Sequence, residues 1–380
     1  MIKTVKVPHI YLPKPGVDMS KYAVIACDQY TSDPVYWDTL SEQVGDSVST
    51  LRMIYPEVYL ETTNPDEYIK NINKNINKYL EEGSLVDIGE SIILVERVTS
   101  FGVRRLGLIL SVDLEDYSYL KGSNAKIKAS EATIVERIPP RLRIRKDAPV
   151  ELPHVLLLFD DKEKEIVEPL YASRDKLEKV YDFELNKNGG HIRGYKVSDP
   201  HKVVEQFSHL YEKNNNGLLF IVGDGNHSLA TAKAHWENIK KELSPSERED
   251  HPARFALVEV NNIYDDGIIF EPIHRVLFNI NGDFADELAS YCHGEYRSYL
   301  YSEEDKLPLN LPKSAPEAYL MVQTFIDQYM KSHPEVKIDF IHDEEALIEI
   351  CDKNPGSLGT PSCGVKITLI RVSRIAFIAR

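Results

Sequence analysis

The run Leu218-Leu219-Phe220-Ile221-Val222 passes through Gly223-Asp224-Gly225 straight into Asn226-His227-Ser228-Leu229-Ala230-Thr231-Ala232. An apolar stretch of strand length followed by a glycine turn and an alanine-rich continuation reads as buried strand, tight turn and helix. Gly223 and Gly225 admit backbone conformations closed to other residues, and N–H groups at a helix start favour an anion, phosphate above all. Asp224, His227 and Ser228 add a carboxylate, an imidazole and a hydroxyl, which suits proton transfer beside a phosphoryl group. The competing reading is structural: Asp224 and Ser228 cap the helix while His227 packs. Familiar templates fail on spacing. Gly223-x-Gly225-x-x-Ser228 lacks the third glycine of a dinucleotide fingerprint, and no G-x-x-x-x-G-K-[ST], G-x-S-x-G or H-E-x-x-H pattern occurs.

Around this turn the chain reads as mixed α and β. Residues 22–27 suit a buried strand. Ile69, Ile72, Ile76 and Tyr79 have helical spacing, with Gly83 as a stop. Residues 91–98 and 105–114 form a hairpin pattern, and Asn188-Gly189-Gly190 joins a second one, 180–185 with 192–197. Further strands are expected at 154–159, 166–170, 253–260 and 267–270, and a helix at 201–213. Beyond Asn281 helices are expected at 284–292 and 316–330, joined by a polar, proline-containing stretch at 302–313. A strand at 337–341 and a helix at 343–351 follow, with Asp343 as N-cap. The fold class is therefore α+β, a mixed α/β arrangement. Residues 1–120 read as the N-terminal part of the core, 121–280 as the part with the turn, and 281–380 as a smaller C-terminal α+β unit.

With 45 basic and 60 acidic residues the net charge is −15, and no basic run resembles a phosphate-tracking groove, so nucleic acid is excluded as a partner. No stretch reaches the length of a spanning helix and no apolar signal core follows Met1, which points to a cytoplasmic protein without a membrane partner. Self-association stays open. Cys27, Cys292, Cys351 and Cys363 are too scattered for a disulfide framework or a metal cluster, and are expected as reduced, mostly buried thiols.

A second feature is Gly267-Ile268-Ile269-Phe270-Glu271-Pro272-Ile273-His274-Arg275. Arg275 can grip a phosphate or carboxylate with both arms and His274 can donate to the same anion; the alternative is a structural ion pair at a strand end. Asp28 follows the expected strand at 22–27, where pocket residues gather at carboxyl edges, or it simply forms a turn. The segment 121–145 is dense in Lys, Glu and Arg. Its Glu131, Arg137, Arg141 and Arg143 suit a site that handles anions, or a solvated charged face. His235 and Trp236 are assigned to packing.

Together the Asp224-Gly225-Asn226-His227-Ser228 turn and the Gly267 to Arg275 segment resemble the bacterial and archaeal family of domain of unknown function 1015. There the turn reads Asp-Gly-His-His-Arg-Tyr and the later element Pro-Thr-His-Arg. The resemblance runs from about Tyr22 to about Ile350. It includes Lys128-Ala129-Ser130-Glu131-Ala132-Thr133, similar to the family's Arg-His-Glu-x-Thr, and Phe340-Ile341-His342-Asp343-Glu344-Glu345-Ala346, similar to His-x-x-Glu-Glu-Ala. Asp28 matches an aspartate of the family's N-terminal segment. Here Asn226 stands for the first His of the turn and Ser228 for its Arg, and residues 364–380 depart from the family's closing segment.

The turn is also similar to that of the ParB/sulfiredoxin-like nucleotide-binding group, which includes free-serine kinases. This implies a nucleotide-binding core of that type, with ATP or ADP as donor and Mg²⁺ as companion. It further implies a small hydroxyl-bearing acceptor, free L-serine first. By position, Asp224 becomes the base or orienting carboxylate and acts with His227. Gly223, Gly225, Asn226, Ser228, His274 and Arg275 become the phosphate side, while Glu131, Asp28, Arg141 and Arg143 serve the acceptor. The alternative is a nucleotide-binding switch without catalysis.

Overall fold

The computed structural model describes residues 2–25, 34–59, 63–100, 102–120, 122–130, 138–152, 155–268, 274–280, 283–302, 306–341, 344–353 and 356–360. Asp28, Glu131 and Asp343, and with them Cys27, Cys363 and Arg137, lie outside those residues. The chain divides into two compact units, Met1–Ile268 and Ile269–Arg380.

The strands of the first unit are β1 (Val5–Lys6), β2 (His9–Pro13), β3 (Leu85–Glu90), β4 (Ile93–Val98), β5 (Arg104–Asp113) and β6 (Tyr117–Ser118). They continue with β7 (Ile127–Lys128), β8 (Leu156–Phe159), β9 (Glu178–Glu184), β10 (His191–Lys196), β11 (Phe220–Asp224) and β12 (Phe255–Asn262). Its helices are α1 (Met19–Tyr22), α2 (Pro34–Val44), α3 (Pro65–Glu81), α4 (Ile138–Lys146), α5 (Val167–Ala172), α6 (Pro200–Asn214), α7 (Asn226–Ile239) and α8 (Pro245–Asp250).

Nine of these strands run across one mixed sheet in the order β6-β7-β11-β8-β12-β5-β4-β10-β9, and β1 adds to β5. The pairs β7 with β11 and β8 with β12 are parallel, whereas β11 with β8 is antiparallel. Strands from before and after residue 120 thus share one sheet. Its buried face carries Leu94, Leu108, Leu110, Val112, Phe220, Val222 and Val258, against which Phe207 of α6 and Leu229 and Trp236 of α7 pack. On part of the sheet, Ile10 from the two-stranded β2–β3 pair joins Ile93 and Val95 in a separate cluster. The helix at 65–81 starts where Asn64 accepts the N–H groups of Asp66 and Glu67, and it buries Ile72, Ile76 and Tyr79.

The second unit has β13 (His274–Phe278), β14 (Tyr296–Tyr301), β15 (Lys306–Leu311), β16 (Lys337–Ile341) and β17 (Leu358–Thr360), with α9 (Phe284–Tyr291), α10 (Ala315–Ser332) and α11 (Glu344–Lys353). The sheet order is β15-β14-β17-β13-β16 and every pair is antiparallel. Phe284 and Leu288 of α9 and Val322 and Ile326 of α10 pack with Leu277, Leu300 and Leu309, while Leu347 and Cys351 of α11 pack with Val276 and Tyr301. Cys292 and Cys351 are buried.

Several expectations are corrected. Residues 22–27 do not begin as a strand: Asp18 accepts the Ser20 N–H and starts α1, and 23–25 have no regular structure. The strand expected at 166–170 is a helix, which follows a turn whose buried Asp161 carboxylate accepts the N–H groups of Glu165 and Ile166. Pro169 is compatible with it, since the first helical N–H groups have no intrahelical partner. Of the strand expected at 267–270, Gly267 is in a turn, its N–H donating to Asp265, and 269–270 lie outside the described residues. The stretch 302–313 is no mere connection. Lys306-Leu307-Pro308-Leu309-Asn310-Leu311 alternates and forms an edge strand, where Pro308 is tolerated. Among the described residues no helix is long and apolar enough to cross a membrane.

Candidate functional site

The strand β11 carries Phe220, Ile221 and Val222 into the core and then changes character: Gly223 and Asp224 are exposed. Its pairing with β8 slips between Val222 and Asp224, which bulges the strand at Gly223. A Cβ on Gly223 would stand 2.8 Å from the Leu156 side chain. Gly225 is left-handed, φ +86°, and a Cβ there would meet Val155 Cα at 3.1 Å. Both glycines therefore have a steric reason. From Gly225 the chain enters α7, whose first helical bond runs from the Leu229 N–H to the Gly225 carbonyl at 3.0 Å. The N-cap of this helix is Gly225 itself, which has no side chain to accept a first-turn N–H.

Asp224 is exposed and its Oδ1 accepts the Gly225 N–H at 2.6 Å. His227 and Ser228 are half-buried on the first turn of α7. Asn226 is buried, 5% exposed, and its amide is engaged: Oδ1 accepts the Ser130 N–H at 3.1 Å and Nδ2 donates to the Ser130 hydroxyl at 3.0 Å. Neither residue type nor spacing marks Ser130 as a site residue. It lies in the segment quoted for the family resemblance, but a partner 96 positions away has no local signature.

Helix α4, which carries Arg141, Arg143 and Arg145, packs on α7. Arg141 is half-buried; Arg143 pairs with Asp66 at the start of α3; Arg145 pairs with Glu151 at 2.6 Å. The α4 charge is felt on α7, where burial first and Arg145 second hold His235 below the ordinary imidazole value. Farther along α7, Trp236 donates to Glu115 at 2.5 Å and Lys240 to the same oxygen at 3.0 Å. Burial pushes the Glu115 carboxyl up, but these donors outweigh it and the net shift is downward. A cleft of about 300 Å³ between Tyr117, Tyr119, Leu120, Lys233 and Glu237 lies on this later part of the helix, away from the turn residues.

His274 and Arg275 belong to the second unit, where both are buried. Arg275 Nε donates to Gln323 on α10 at 2.8 Å and the guanidinium stands 4.3 Å from the Tyr319 ring centroid. Within the first unit the structure thus groups Gly223, Asp224, Gly225, Asn226, His227 and Ser228 at one helix start and joins Ser130 to them, whereas Arg143 and Arg145 of α4 are paired with Asp66 and Glu151. Among the described residues no group of three or more His, Cys, Asp or Glu is arranged to hold a metal.

A family model described as "Protein of unknown function (DUF1015)" matches residues 11–343. The chain belongs to this family. The matched span takes in the turn, Ser130, the α4 arginines and β13. No curated protein and no solved structure matches the chain.

Proposed function

We propose that this chain is a cytoplasmic small-molecule kinase that moves a phosphoryl group from ATP or ADP to the hydroxyl of a small metabolite, free L-serine being the first candidate. The observation that carries the reading is the start of α7. It opens at a left-handed glycine, at the carboxyl end of a buried strand and beside the exposed Asp224. Such a start offers N–H donors and the positive end of a helix dipole to phosphate oxygens. The adjacent carboxylate supplies the other requirement, a group that orients an alcohol and takes its proton.

In this reading the acceptor oxygen bonds to the terminal phosphorus and the bond to the nucleotide oxygen breaks, its electron pair leaving with the nucleotide. The hydroxyl proton passes to Asp224. His227 and Ser228 stand on the phosphate side, Arg141 supplies positive charge, and Glu131, Asp28 and Arg143 serve the acceptor. Mg²⁺ bound mainly through nucleotide phosphates needs one or two protein carboxylates, and Glu131 would help to place it, leaving Asp224 for the proton. The turn's likeness to ParB/sulfiredoxin-like proteins supports a nucleotide-binding core of that kind.

The test is a thermal-shift screen with ATP, ADP and CTP plus Mg²⁺, then a product assay over hydroxyl amino acids. A nucleotide at a hundred times its Kd stabilises by about 2.7 kcal/mol. Asp224→Asn is expected to keep nucleotide binding and abolish turnover; unchanged turnover refutes the assignment. A second reading, a nucleotide-binding switch without catalysis, is favoured by one observation: the amide of Asn226 is committed to Ser130 rather than directed to a ligand. Binding without product on any acceptor selects it.

A further inference from the structure

The two hydrogen bonds between Asn226 and Ser130 join segments that the sheet has already aligned. The strands β7 and β11 are parallel, with Phe220 opposite Ile127 and Ile221 opposite Lys128. Their continuations therefore leave the sheet at the same edge, one toward Ser130 and residues 131–137, the other into the turn. Beyond the last backbone pair no ladder holds the two apart or together. Asn226 supplies the missing link with its side chain, accepting one N–H and donating one N–H, as a strand residue would. The linkage is buried at the asparagine and half-buried at the serine, so water competes poorly for either bond.

We infer that Asn226 and Ser130 form a positioning pair. The asparagine follows Gly225 directly and stands two residues from Asp224, while Ser130 directly precedes Glu131, the acceptor-side candidate. Their clasp fixes the residue that follows the turn's carboxylate and glycine, and holds the first turn of α7 in place for a phosphate. Neither residue touches reacting atoms. This inference rests on the phosphoryl-transfer reading, and it moves Asn226 from phosphate contact to support.

Three variants of the full chain test it: Ser130→Ala, which keeps the N–H and removes the hydroxyl; Ser130→Thr, which keeps both; and Asn226→Ala, which removes both bonds. Each is titrated with Mg²⁺–ATP and Mg²⁺–ADP, assayed for turnover, melted, and followed by amide hydrogen exchange at residues 224–230. The expected result for Ser130→Ala is a tenfold or greater loss of nucleotide affinity with faster exchange in the turn and a melting temperature within a few degrees of wild type. Ser130→Thr restores wild-type values and Asn226→Ala exceeds the loss seen in Ser130→Ala. If Ser130→Ala and Asn226→Ala melt lower but bind nucleotide within twofold of wild type, the clasp is structural alone and the inference is overturned. If the wild-type chain binds neither nucleotide, the phosphoryl-transfer reading fails and takes the positioning role with it. That outcome is read from the wild-type titration and is distinct from a failure seen only in the variants.

Discussion

Replacing Gly225 by alanine tests whether the start of α7 is set by backbone conformation and close packing. Two terms oppose the alanine. A left-handed residue with a Cβ costs about 1–2 kcal/mol, and at Gly225 the new Cβ lies 3.1 Å from both Val155 Cα and Val155 Cγ2. The first of these is backbone and cannot rotate aside, so overpacking adds roughly 1–3 kcal/mol. One term favours it, about 0.4–1 kcal/mol from a stiffer unfolded chain. The balance is a loss of roughly 2–4 kcal/mol. Gly217→Ala is the control, for Gly217 has φ +74° but nothing within 4 Å of its Cβ position. It is expected to lose about 1 kcal/mol through conformation alone. Urea unfolding followed by tryptophan fluorescence measures both: Trp236 is 1% exposed on the same helix, and a Trp37→Phe background makes it the sole reporter. With the urea slope unchanged, the midpoint gives the stability difference. If Gly225→Ala falls within about 0.5 kcal/mol of Gly217→Ala, the Val155 contact does not set the turn.

Other outcomes follow from charges and packing elsewhere. His191 is held by Asp182 at 2.5 Å and Glu184 at 2.6 Å; burial pulls its pKa down, but the two carboxylates prevail and it lies above the ordinary value. The clamp is fully present below the unfolded value of about 6.5 and is lost as pH rises through the raised folded one. Amide exchange in the β9–β10 hairpin should therefore accelerate from about pH 6 to about pH 8 beyond the base-catalysed trend, and His191→Gln should abolish the excess. Asp182, lowered to about 2 chiefly by Lys179, keeps its contribution above the unfolded carboxylate value and loses it only as pH falls through about 2. Asp113→Ala leaves Arg254, which donates to both carboxylate oxygens, without its buried partner; the cost should be about 3–5 kcal/mol in urea unfolding, and less than about 1 kcal/mol would sink the argument. Phe284, fully buried with Tyr329 at 4.7 Å and Phe325 at 5.5 Å between ring centroids, should cost about 3–5 kcal/mol as alanine, with increased hydrogen exchange in the Ile269–Arg380 unit.

What could be read from residues alone were elements whose causes are local. The helix at 65–81 announces itself by Asn64, Pro65 and the spacing of Ile72, Ile76 and Tyr79. The β9–β10 hairpin does so by Asn188-Gly189-Gly190, with Asn188 and Gly190 at positive φ. The turn at 223–225 was visible for the same reason, since glycine is its own explanation. What escaped depends on distant partners. The helix at 167–172 follows a turn bonded to Asp161, and β15 looked like a loop until an edge position excused Pro308. At the site, Asp224 and Gly225 were legible, but the engagement of Asn226 was not, because Ser130 meets it only after β7 and β11 have paired.

The place of β12 has a consequence for synthesis. The strand is near the end of its unit in sequence, yet it lies in the middle of the sheet, between β8 and β5. The β4–β5 hairpin is complete once Asp113 is made, whereas β12 begins at Phe255. At translation rates of about 5–20 residues per second, the intervening stretch takes roughly 7–30 s. Throughout that interval one long edge of β5, with Leu108, Leu110 and Val112 along it, has no strand beside it. A nascent chain in that state presents an open strand edge, a template for pairing with other chains until the central strand arrives.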